Sequence, residues 1–220
     1  MEYILKTNFD NFVKGDFMHD RFHALLGDGI FSTDGSTWKV IRKTAANIFT
    51  TSKFKVLVEN VFMGSGLLIV DGMTIFAAKL SEHAEQGDVA DLQDLFFRFT
   101  LDSFTSIGFG LGTNSVAKGK VPFAAAFDEL QATIDQRLFN PFWKVAESII
   151  GAAEIKQNLS VVRGFSASII KSRRESQNIE ERSDLLSMFM KAVNEHGNAY
   201  NDIQLGEHII NFVIAGKDTL

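Results

Sequence analysis

The chain has 220 residues, 45% of them apolar and 21 of them Phe, which is enough to fill one sizeable core and too apolar for a disordered polypeptide. Its 22 Lys and Arg against 27 Asp and Glu give a net charge of −5 without a basic stripe, so nucleic acid is not an expected partner. There is no cysteine, which excludes a disulfide framework, a zinc ribbon, a thiol nucleophile and any thiolate metal ligand within these residues.

Only Pro122 and Pro141 interrupt the pattern, and apolar residues recur mainly at helical spacing, so the fold class is all-α with strands few or absent and one domain over 1–220. The start, Met1 to Lys6, lacks the basic segment and apolar core of a signal peptide. Residues 1–35 carry Gly15, Gly27, Gly29 and Gly35 and read as one short helix, about Phe17 to Leu26, set in loops. A helix from Trp38 to Ile48 follows, with Ser36 or Thr37 as its cap. Further helices are expected over about 53–84, 91–107, 122–138, 142–174, 183–195 and 202–220. The apolar stretch Val61 to Ala78 contains Asp71 and three glycines, and reads as a buried helix pair or a broken helix rather than a membrane span. Asn201 and Gln204 form a capping-box pattern ahead of the apolar last helix. The Lys171 to Arg174 cluster reads as a solvated helix end.

The last turn, Ala215-Gly216-Lys217-Asp218-Thr219, interrupts an apolar helix with a glycine, a carboxylate and a hydroxyl. Gly216 leaves a notch, and Thr219 can turn its hydroxyl to the carbonyl four residues back, opening the helix locally. Asp218 suits proton relay from solvent, and Thr219 suits a hydrogen bond to a bound oxygen species. An ordinary polar helix end is the alternative, and these residues alone leave both open.

Trp38 and Arg42 are four apart and present an indole N–H and a guanidinium on one helix face, a pair that suits a carboxylate or a phosphate. A core tryptophan covered by the arginine through a cation–π contact is the competing explanation. His19 and His23, with Asp16 and Asp20 nearby, share a helical spacing but show no third ligand of proper spacing, so no metal site is assigned. The run Gly108-Phe109-Gly110-Leu111-Gly112 follows a helix and reads as its end rather than a phosphate loop.

The order Trp38-x-x-x-Arg42 followed far downstream by Ala215 to Thr219 resembles the C-helix and oxygen-binding I-helix of the cytochromes P-450. Ile4 to Phe12, Leu25 to Phe31, Asp91 to Phe96 and Arg98 to Thr100 are most similar to the fatty-acid ω-hydroxylase branch. The resemblance implies a partial P-450 fold, helices B′ or C through I, without the K-helix, the heme-binding loop and the L-helix, and so an incomplete domain. It implies heme as cofactor, with Trp38 and Arg42 holding a propionate, Ala215 and Gly216 over the distal face, and Asp218 and Thr219 serving proton delivery. Ile30, Phe31, Phe212 and Val213 fall in segments that line the family's substrate pocket. A fatty acid or similar apolar molecule, dioxygen and an NADPH-dependent reductase are the implied partners, at the endoplasmic reticulum membrane surface. Family members hold the iron by a cysteine thiolate and carry a Glu-x-x-Arg pair; this sequence has neither, nor the membrane anchor that normally comes earlier. The expectation is therefore a monooxygenase lineage in a chain without hydroxylase activity of its own, against the alternative of a non-catalytic helical lipid-binding module or an inert truncated product. Without heme, Phe212, Ile214 and much of the last helix are expected to stand exposed, giving poor solubility.

Overall fold

Local signals set most helix ends. The computed structural model describes residues 1–47, 67–111, 113–119, 121–176, 182 and 184–217, the side chains of 67–71, 149 and 150 excepted. Among them the helices are α1 Gly15–Leu26, α2 Gly35–Ala46, α3 Leu67–Gln86, α4 Leu92–Phe109, α5 Ser115–Lys118, α6 Pro122–Phe139, α7 Trp143–Ile150, α8 Ala152–Glu175, α9 Leu185–Lys191 and α10 Asp202–Lys217. A π-type turn, Tyr3–Thr7, and a 3-10 turn, Phe9–Asn11, precede α1. The described residues contain no extended sheet, only an isolated antiparallel bridge between Val193 and Ala199.

Asp91 accepts the Asp94 amide at 3.0 Å to start α4, and Gly110 ends it in the left-handed region at φ 67°. Pro122 opens α6, where a missing N–H costs nothing. The capping box of α10 is formed on both sides, Gln204 N to Asn201 Oδ1 at 3.0 Å and Asn201 N to Gln204 Oε1 at 3.1 Å.

Several expectations are corrected. The helix drawn over 142–174 is two, separated at Gly151, whose φ of −142° and ψ of 0° break the helical path. The helix drawn over 183–195 ends at Lys191; the chain then turns at Asn194 to Gly197, with Asn194 N bonded to Asn198 O at 2.8 Å. α2 begins at Gly35 rather than at a Ser36 or Thr37 cap. Arg173, read as solvated, is buried: it donates to Ser187 Oγ at 2.6 Å and pairs with Asp184, tying α8 to α9. The segment 61–66 lies outside the described residues, while 67–78 is unbroken helix within α3.

α10 is the central element, packed against α8, α4, α1 and α9. Leu205, Ile209, Ile210, Phe212 and Val213 are buried in the main core with Leu101, Phe127, Val162, Ile169 and Phe189. Each such side chain contributes about 1.5–3 kcal/mol when fully buried. Phe212, expected on the surface, is covered, its ring 5.8 Å from that of Phe189; Ile214 is partly buried against the same core. A satellite cluster of Phe76, Leu95 and Val116 joins α3, α4 and α5. None of the helices among the described residues is long and apolar enough to cross a membrane.

Candidate functional site

The expected chemistry lies on α2 and the last turn of α10. Trp38 is half-buried against the main core, with the Phe9 ring 5.8 Å away at 38° and Lys14 Nζ 5.5 Å from its centroid. The cation over the indole is thus Lys14, not Arg42 as the packing explanation required. Arg42, one turn on, is exposed and makes no ion pair among the described residues.

Asp34 positions this region. Its carboxylate accepts the Gly15 amide at 2.9 Å and the Lys14 amide at 3.1 Å, so the residue before α2 caps the start of α1. Partial burial would raise its pKa, but those amides and the Lys14 ammonium outweigh burial and hold it below the usual carboxylate value. Lys14 Nζ donates to Thr33 O at 2.6 Å, which fixes the cation beside Trp38.

The loop joining α1 to α2 carries Ile30 and Phe31 onto α10. Asn211 is fully buried; its Nδ2 donates to Leu26 O at 2.7 Å and Glu207 O at 2.8 Å, and its Oδ1 accepts the Phe31 amide at 3.2 Å. Gly29 permits this approach, since a Cβ there would stand 2.0 Å from Asn211 Nδ2. Glu207, one turn earlier, accepts the Asp28 amide at 3.2 Å, and burial pushes its carboxyl pKa up. Ile30 is buried in the core and Phe31 is exposed, while Phe212 and Val213 are buried. Sequence reasoning missed Asn211; the available signal was a lone amide in the run from Ile209 to Ile214, where a buried polar group needs partners.

At the end of α10 the Gly216 notch is filled. A Cβ on Gly216 would lie 2.1 Å from the Phe104 ring, so α4 packs directly on this turn. Thr100 Oγ donates to Lys217 O at 3.1 Å. Lys217 is not a solvated helix end: its ammonium is buried, 2.5 Å from Asp128 Oδ1, and faces the Phe97 and Phe127 rings at 4.9 and 5.7 Å. The turn is thereby tied to α4 and α6. Asp218 and Thr219 lie outside the described residues. A groove of about 900 Å³ between α7 and α8, lined by Trp143, Glu147, Ile155 and Leu159 among others, includes none of the expected site residues.

The family model described as Cytochrome P450 matches residues 1–220. The chain is 35% identical over 230 residues to "Cytochrome P450 monooxygenase cyp1" of Mycosarcoma maydis, covering all of this chain and 35% of that protein. It is 33% identical over 238 residues to "Cytochrome P450 704B1" of Arabidopsis thaliana, covering all of this chain and 44% of that one. A crystal structure of a cytochrome P450 (CYP102L1) superimposes with a TM-score of 0.69 at 17% identity, over 92% of this chain and 42% of that one, which shows the fold. The chain therefore spans less than half the length of these relatives. With the family model matched over residues 1–220, the chain belongs to the cytochrome P450 family.

Proposed function

We propose that these residues form part of a heme monooxygenase that hydroxylates a fatty acid or similar alkyl chain, with electrons supplied by an NADPH-dependent reductase. The observation that carries the reading is the family match over the whole chain, joined to the Trp38 and Arg42 pair on one face of α2. That pair fits the carboxylate edge of heme: Arg42 is exposed, makes no ion pair among the described residues and supplies a bidentate fork, whereas the Lys14 charge beside Trp38 is met by Asp34 at 3.5 Å. Heme, when bound, supplies dioxygen activation. Trp38 and Arg42 would orient the group by its propionate, and Ala215 would lie toward the group, whereas the space beside Gly216 is taken by the Phe104 ring. Asp218 would hold a proton near solvent and Thr219 would present its hydroxyl to the oxygen site. Ile30, Phe31, Phe212 and Val213 would exclude water from an alkyl chain.

With no cysteine among 220 residues, a thiolate ligand to the iron has to come from polypeptide outside them. We therefore expect these residues alone not to hydroxylate. A second reading is a non-catalytic helical lipid binder. Heme titration by absorption and by quenching of the two tryptophans tests the first: Arg42→Ala should weaken binding by about 1.5–3 kcal/mol, the worth of a hydrogen bond to a charged group. Equal heme affinity in wild type and Arg42→Ala refutes the propionate assignment. Saturable binding of a long-chain fatty acid without heme favours the lipid binder, and a thiolate-type carbon monoxide band from the chain alone defeats the expectation of inactivity.

A further inference from the structure

His19 and His23 stand on the last two turns of α1, and the chain passes Gly27 to bring Asp28 back against them. His19 Nε2 lies 3.0 Å from Asp28 Oδ1, and His23 Nε2 lies 3.8 Å from the same oxygen. The imidazole rings are 4.8 Å apart at a tilt of 38°, so both present an edge to the carboxylate. One ligand atom from each of the three residues lies within 4.8 Å of the others.

We propose that His19, His23 and Asp28 form a three-ligand site for a divalent late-transition ion of the Zn²⁺, Co²⁺, Ni²⁺ class. Ligand atoms around a tetrahedral Zn²⁺ with bonds of about 2.0–2.1 Å stand roughly 3.3 Å apart. The separations of 3.0 and 3.8 Å bracket that spacing, and the remaining edge closes by rotation of partly exposed side chains. Two imidazoles with one carboxylate select this class over Ca²⁺ and Mg²⁺, which prefer all-oxygen shells. Solvent reaches all three residues, which leaves water to complete the coordination.

The surroundings favour a cation on balance. The site lies at the C-terminal end of α1, where the helix carries its partial negative charge. Glu207 accepts the Asp28 amide, so a further carboxyl stands behind the ligand. Arg163, which donates to Ala24 O at 3.1 Å, opposes it in part. Asp20 is committed elsewhere, its carboxylate 2.8 Å from Lys144. Because Asp28 belongs to the loop held on α10, a bound ion would staple α1 to that loop. The site does not depend on heme or on the assigned function.

The test uses the whole chain without a polyhistidine tag. Zn²⁺ is measured by displacement of a chromophoric indicator and Co²⁺ by its visible spectrum. One ion per chain is expected, with the strong visible bands of four-coordinate Co²⁺ and a Zn²⁺-dependent rise in melting temperature. Second-sphere changes typically cost 10–100-fold in metal affinity, so His19→Ala, His23→Ala and Asp28→Asn should each weaken binding by more than about tenfold. A control carrying His83→Ala and His196→Ala should bind as wild type. Circular dichroism of each variant separates loss of a ligand from loss of fold, and absence of four-coordinate Co²⁺ bands in wild type refutes the site without any variant. Absence of stoichiometric binding to wild type, retention of binding in the His19→Ala/His23→Ala/Asp28→Asn variant, or loss of it in the control overturns the proposal.

Discussion

His208 ties the stability of the fold to pH. It sits on α10 with its ring 4.5 Å from Phe189 and 4.8 Å from Tyr200, and neither ring nitrogen has a hydrogen-bond partner among the described residues. Burial opposes protonation and lowers its pKa from 6.5 to about 4. The folded state therefore keeps a neutral imidazole where the unfolded chain takes up a proton. The stabilisation is complete above pH 6.5 and is lost as pH falls toward 4. At about 1.4 kcal/mol per pH interval the loss is about 2 kcal/mol at pH 5 and about 3 kcal/mol at pH 4. Urea unfolding of wild type and His208→Phe at pH 7.5 and pH 5 measures it, other titrating groups cancelling between the two proteins. The phenylalanine variant should be within about 1 kcal/mol of wild type at pH 7.5, because it removes buried nitrogens that lack partners. By pH 5 it should be ahead by about 2 kcal/mol more than at pH 7.5. Parallel pH profiles for the two proteins would refute the reasoning.

Gly216→Ala should destabilise by about 1–3 kcal/mol through overpacking against Phe104, and Gly216→Ala with Phe104→Leu should recover most of that in thermal melts. Asn211→Ala strands the Leu26 carbonyl and the Phe31 amide, costing about 1–3 kcal/mol, and should speed hydrogen exchange at the Phe31 amide. Arg137 binds Glu147 through Nε at 2.6 Å and Nη2 at 2.9 Å and donates to Arg21 O at 3.0 Å, joining α6, α7 and α1. Arg137→Ala should cost about 3 kcal/mol by leaving the carboxylate unpaired, whereas an apolar pair at 137 and 147 should fold better than the single variant; urea midpoints decide.

What the sequence made legible was local. The capping box at Asn201 and Gln204, the glycine stop at Gly110 and the proline start at Pro122 each depend on residues within one turn. The break at Gly151 escaped notice because Val145, Ile149, Ile155 and Leu159 keep apolar spacing across it, and periodicity does not register a change of axis. The turn formers Asn194, Gly197 and Asn198 did announce the end of α9, and the apolar run before them masked it. Helical spacing put Trp38 and Arg42 one turn apart on α2, as the structure has them. Arg173 was misread, and the ties of Lys217 and Asp34 went unseen, because the partners Asp184, Asp128 and Gly15 lie 11 to 89 residues away and no local pattern joins them. Asp28 lies beyond the end of α1, so helical i+4 spacing does not join it to His19 and His23.

The clasp of Asn211 on the loop after α1 also bears on synthesis. Its bonds to Leu26 and Phe31 span 185 and 180 residues, so α1 cannot be locked to α10 until the residues between them have been synthesised. At about 5–20 residues per second that delay is roughly 10–40 seconds. Through that interval Leu25 and Leu26 lack the cover that α10 will give them, and a chaperone holding the nascent α1 segment would guard an apolar surface against wrong association.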